Sequence, residues 1–151
     1  MEVGDLCTRN MVTIGAHASV VDAAQIMRKD HVGLLVVTEP AADGHDSKVV
    51  GVLTDRDIVT AVVAKSADPN TLTVGDVMAR NPIMANEAHA LGHALRLMRE
   101  TGVRRVPVLG NRDQLVGILS LDDVLDALAT ELGDVSQAIR SGQRLERRTR
   151  P

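Results

Sequence analysis

The sequence predicts a mixed α/β fold, α+β in detail, built from two copies of one β-α-β-β-α unit. Three observations point there. Val3-Gly4-Asp5 recurs as Val74-Gly75-Asp76, Arg9-Asn10 as Arg80-Asn81, and Met27-Arg28 as Met98-Arg99, all at an offset of 71. Further along, GVLTDRDIV (51–59) recurs as GILSLDDVL (117–125) at an offset of 66. Within each copy, helical periodicity alternates with compact β-branched runs.

The elements follow in order. A short extended piece, Val12 to Ile14, is matched by Ile83 to Ala85. A helix begins near Ser19, a plausible N-cap, with apolar residues at Val20, Ala23, Ala24 and Met27. Its counterpart carries Leu91, Ala94, Leu95 and Met98 at the same i, i+3, i+4, i+7 spacing. Two strands come next, Val32 to Thr38 and Lys48 to Leu53, matched by Val103 to Leu109 and Gln114 to Leu119. The loop between them changes length, EPAADGHDSK against GNRDQ, where such changes cost little. A second helix runs from Thr54 to about Lys65, matched by Ser120 to Glu131. The expected divisions are 1–66, 67–132 and a tail, 133–151. Units this small are marginal alone, so the copies should pack on each other.

Composition narrows the chemistry. There is no Phe, Tyr or Trp, so no aromatic surface exists for a nucleobase to stack on. The core must be aliphatic. The net charge of −3 gives no overall pull toward nucleic acid or an anionic membrane. One cysteine, Cys7, excludes an intramolecular disulfide and reads as a buried thiol. No apolar run reaches the ~18 residues of a membrane span. The start of the chain lacks a basic-then-apolar leader. The expectation is a soluble cytoplasmic protein without a membrane role. The tail carries Arg140, Arg144, Arg147, Arg148 and Arg150 against Asp134 and Glu146, and reads as helical or disordered. It could touch nucleic acid, although such ends more often confer solubility.

The sharpest feature is the strand-to-helix corner Gly51-Val52-Leu53-Thr54-Asp55-Arg56-Asp57 and its echo Gly117-Ile118-Leu119-Ser120-Leu121-Asp122-Asp123. One reading is local: Thr54 and Ser120 cap helices, with Asp57 and Asp123 close to a capping box. The other is functional. A helix start offers N–H groups to phosphate, and a carboxylate one turn on accepts from two ribose hydroxyls. His89 and His93 are i, i+4 on one helix but face away from its apolar stripe, and no third metal ligand is apparent. No metal site and no catalytic motif is expected.

These paired corners, each closing a unit of about 60 residues, resemble the cystathionine-β-synthase-type (CBS) domain. Two in tandem resemble the Bateman module, and the first copy is similar to small stand-alone bacterial CBS-pair proteins. The resemblance covers about residues 3–132. It implies copies packed through their sheets about a pseudo-twofold axis, with two clefts between them. It implies a regulatory role rather than an enzymatic one, with homodimers formed through helices and a regulated protein as partner. No cofactor is required, but AMP, ADP, ATP, S-adenosylmethionine or NAD could bind. By position, Asp57 and Asp123 would hold ribose, Thr54 and Ser120 would lie near phosphate, and Arg56 could join them. The backbone at Thr13-Ile14, or Met84-Ala85, would meet the adenine edge. Arg104 and Arg105 occupy a place that often carries a phosphate-reaching base, and arginine's planar fork suits that task. Asp122 replaces Arg56, and Gly33-Leu34 replace Arg104-Arg105, so the two clefts cannot be equivalent. The rivals are a ligand-free dimeric scaffold and nucleic-acid contact through the tail.

Overall fold

The computed structural model describes residues 1–44 and 47–150; His45 and Asp46 of the variable loop lie outside the described residues. The first copy contains β1 (Thr13–Gly15), α2 (Val20–Asp30), β2 (Leu34–Pro40), β3 (Ser47–Thr54) and α3 (Asp55–Ile58). α3 continues through a π-helical turn, Val59–Val63. The second contains β5 (Ala85–Asn86), α5 (Leu91–Thr101), β6 (Arg105–Leu109), β7 (Leu115–Ser120) and α6 (Leu121–Thr149). Each copy is preceded by a four-residue helix, α1 (Val3–Leu6) and α4 (Val74–Val77). A two-residue strand, β4 (Ala79–Arg80), follows α4.

Local chemistry sets these boundaries. Ser19 caps α2 by accepting from the Asp22 N–H at 3.0 Å. α2 ends on His31 and α5 on Gly102, both in the left-handed region with φ of 53° and 70°. β1 runs parallel to β2, and β2 antiparallel to β3; β5, β6 and β7 repeat that order. Even the bulges correspond, falling between Val37 and Thr38 and between Val108 and Leu109.

The copies are not two separate balls. α1 packs into the second copy's core, where Val3 and Cys7 meet Ala85, Leu91, Val106 and Leu119. α4 packs into the first, where Val74 and Met78 meet Ala23, Leu35 and Leu53. β4 adds to the first copy's sheet at the edge of β3. In return Thr8 bridges Ile118 in β7. The hydrogen bonds are reciprocal: the Val74 N–H donates to the Ala18 carbonyl at 2.8 Å, and the Val3 N–H to the His89 carbonyl at 2.9 Å. Val3 and Val74 are fully buried, and each such side chain contributes about 1.5–3 kcal/mol. A third cluster, Leu34, Val36, Val49 and Ile118, joins the two sheets face to face. The packing is aliphatic throughout, as a chain without aromatics requires.

α6 does not stop near Glu131. It runs without interruption to Thr149: no proline intervenes, and Gly133 and Gly142, both exposed, do not break it. No described helix is long and apolar enough to cross a membrane.

Candidate functional site

The two strand-to-helix corners form as capping boxes. Thr54 Oγ1 accepts from the Asp57 N–H at 3.1 Å, and Asp57 Oδ2 accepts from the Thr54 N–H at 2.9 Å. Ser120 Oγ likewise accepts from the Asp123 N–H at 3.1 Å, and its hydroxyl donates to Asp123 Oδ2. Both polar pairs are half-buried. Their orientation is fixed by backbone, not by long-range ion pairs.

A cavity of about 270 Å³ opens between the copies at the second corner. Ser120, Asp123, Ile118 and Arg105 line it from the second copy. Thr8, Asn10, Met11 and Val12 line it from the first, with the turn from His31 to Leu34. Arg105 reaches this place because its Cα pairs with Ser120 across β6 and β7. One positive fork, one hydroxyl and one carboxylate therefore converge from the second copy on a wall that mixes polar Thr8, Asn10 and His31 with aliphatic Met11, Val12, Val32 and Leu34. The carboxylate uses Oδ2 for its cap, and a carboxylate offers further acceptor sites on its other oxygen.

The remaining sequence candidates sit elsewhere. Arg104 turns away and faces Asp122 at 3.8 Å, with both side chains largely exposed. Such a pair contributes little. The structure thus separates the two neighbouring arginines: Arg105 faces the cavity and Arg104 does not line it. Thr54, Arg56 and Asp57 lie on the equivalent corner of the first copy, outside this cavity. Thr13 is an exposed residue of β1, while Ile14 is buried in the first copy's core; the lining residues are Met11 and Val12. In the second copy Met84 is exposed and Ala85 is buried at the start of β5.

Sequence reasoning passed over His31. It caps α2 in a left-handed conformation and lines the cavity. Its signal was the alignment with Gly102. Where one copy has glycine at a helix end and the other a larger residue, that residue must adopt a backbone that side chains disfavour.

Cys7 is buried, and burial pushes its thiol up from the ordinary range. His89 and His93 stack edge to face at 4.7 Å, and His89 Nδ1 accepts from the Asn86 N–H at 3.3 Å. Among the described residues no group of three or more metal-ligating side chains forms.

Comparison with known proteins bears on the family and the fold. The family model for the CBS domain matches twice, at residues 3–64 and 74–130. The chain is 38% identical over 121 residues to Hypoxic response protein 1 of Mycobacterium tuberculosis, covering 80% of each. It is 27% identical over 125 residues to an uncharacterized protein of Methanopyrus kandleri and spans 61% of that protein's length. A solved CBS domain pair in complex with 5′-methylthioadenosine and S-adenosylmethionine superposes with a TM-score of 0.73 at 26% identity, covering 87% of this chain and 98% of that one. With two matches in register with its internal repeat, the chain belongs to the CBS domain family, as a tandem pair.

Proposed function

We propose that this CBS pair is a regulatory module that binds an adenosine-containing small molecule in the cavity beside Ser120 and Asp123. One observation carries the reading: Arg105, Ser120 and Asp123 converge there on a cavity whose far wall belongs to the other copy. Its volume lies just below the usual range for small-molecule sites, roughly 300–1,000 Å³. Asp123 would accept from ribose, Arg105 would donate to phosphate or carboxylate, and Met11, Val12 and Leu34 would flank the base. The related pair that holds 5′-methylthioadenosine and S-adenosylmethionine supports the ligand class. Among AMP, ADP, ATP, S-adenosylmethionine and NAD, a single arginine favours a ligand with few charges. The chain would act by changing shape rather than by catalysis. A ligand that touches both copies favours the arrangement in which both walls are in reach, and shifts the population by its difference in affinity.

A second reading has its own observation. Both corners are fully explained as helix caps, because each hydroxyl and carboxylate already satisfies its neighbour's N–H. On that reading the protein is a scaffold. Dye-monitored melting separates the two. A true ligand at 100 times its Kd adds about 2.7 kcal/mol and raises the melting temperature. Asp123→Ala should abolish that rise, whereas Asp57→Ala should leave it. If none of the five compounds moves the parent at millimolar concentration, the scaffold reading stands.

A further inference from the structure

The second half of α6 carries its arginines on one side. From 136 to 150 the helix holds Arg140, Arg144, Arg147, Arg148 and Arg150, no lysine, and Glu146 as its one acid. Every residue from 137 to 150 is exposed. At about 100° of turn per residue, the first four arginines fall within an arc of about 100° and form a ridge about 12 Å long. The long apolar stripe of α6, here Val135, Ile139, Gly142 and Leu145, lies on the opposite side, and Glu146 lies with it. This spacing works against the helix itself. Arg140 with Arg144, and Arg144 with Arg148, are like charges at i, i+4, which weaken a helix. Among the described residues none of the four arginines has a carboxylate within ion-pair reach. The acids of the first half of α6 end at Asp134, about 9 Å along the axis from Arg140 and beyond the ~8 Å screening length of physiological salt. The ridge is therefore a separate positive patch on a chain of net charge −3. It begins after residue 130, where the match to the family ends, and no residue beyond Asp123 lines the ligand cavity.

Geometry and charge density choose among anionic partners. A lipid surface takes a helix apolar face down, with cations beside that face to reach the headgroups. Here the arginines stand across the helix from the apolar face. An acidic helix turns about one carboxylate per ~5.4 Å turn toward the ridge, so about two along its length, which leaves guanidinium groups unmatched. Duplex nucleic acid carries one charge per ~1.7 Å of axis, about seven over the same length, and phosphate fits the planar fork of arginine. The chain has no Phe, Tyr or Trp on which unpaired bases could stack, so backbone contact is what it can offer. We infer that the arginine ridge of α6 binds the phosphate backbone of double-stranded nucleic acid without reading its sequence.

Fluorescence anisotropy of the full chain with a labelled duplex DNA of about 20 base pairs tests this. For four phosphate contacts, log K should fall against log[salt] with a slope of about −3.6, which is ~150-fold between 50 and 200 mM salt. A duplex of unrelated sequence should bind within ~2-fold, and a single strand of equal length more weakly. Arg144→Gln with Arg148→Gln should weaken binding at least ~10-fold and reduce the slope by about 1.8. Arg144→Lys with Arg148→Lys keeps the charge and should keep the slope. Arg96→Gln, on the exposed side of α5, should change neither. All these positions are exposed, and glutamine and lysine are good helix formers, so circular dichroism should show the fold intact. A parent that does not bind the duplex would overturn the inference. So would a glutamine pair that binds like the parent, or an Arg96→Gln variant that loses as much as the pair. Phosphatidylserine vesicles or poly-glutamate bound more tightly than the duplex at equal charge would assign the ridge to a membrane or an acidic protein, and overturn it as well.

Discussion

The carbonyl oxygen of Thr8 lies 2.6 Å from the point where a Cβ on Gly117 would stand, and Cys7 Sγ lies 3.0 Å from it. At the equivalent Gly51 the same point meets the Ala79 carbonyl oxygen at 2.9 Å and Met78 Sδ at 2.5 Å. These two glycines are where each copy admits the other's leading segment.

Gly117→Ala should therefore destabilise the protein by about 1–3 kcal/mol, the usual result of overpacking against backbone. The bridge between Thr8 and Ile118 must part to make room. Gly51→Ala should behave alike. Equilibrium urea unfolding of the two variants checks both, and Gly92→Ala, at a site with nothing within 4 Å, is the control.

The caps can be removed one at a time. Ser120→Ala and Thr54→Ala each delete a hydroxyl that accepts from the N–H three residues on. Each should cost about 1 kcal/mol, typical of a lost N-cap. Chemical denaturation should show the two losses adding, because the corners share no partner.

His31 holds a left-handed conformation that its counterpart Gly102 adopts freely. His31→Gly should stabilise the fold by about 1 kcal/mol, visible as a higher melting temperature. If the imidazole serves the cavity, the same change weakens ligand binding measured by calorimetry. A gain in stability with no change in affinity would assign His31 to the turn alone.

Cys7 gives a pH prediction. Burial raises its thiol pKa in the folded state, so the stability it contributes is complete below the unfolded value, about 8.5, and falls away as pH rises through the folded value. Comparison of the parent with Cys7→Ala at pH 7 and pH 9.5 should show the parent losing more. Alkylation by iodoacetamide at neutral pH should be much slower in the native protein than in urea.

Much of this was legible in the sequence. The offset of 71 and the switch between helical and extended periodicity give the elements and their order. Val20, Ala23 and Met27 are buried as their spacing requires, while Ala24, the fourth residue of that stripe, is exposed. The capping boxes could be read because they are local: Thr54 and Asp57 are three residues apart. The cavity could not be located the same way. Whether Arg104 or Arg105 faces it depends on the register of β6 against β7, and adjacent strand residues point to opposite sides. Ile14 of β1 likewise goes into the core, and the lining comes instead from Met11 and Val12, which precede the strand. The destination of α1 was invisible, since four residues carry no periodicity that says which core they enter. The length of α6 was half visible: the tail has the composition of a helix, but its long stripe has no partner within the chain.

The exchange of α1 and α4 bears on why there are two copies at all. One copy cut from this chain would have an open core on one side and a stray helix on the other. A second identical copy repairs both defects at once by two-fold symmetry. The linker from Ser66 to Asn70 ties donor to acceptor. It turns a repair that would depend on how crowded the solution is into one that every molecule carries out on itself, however dilute.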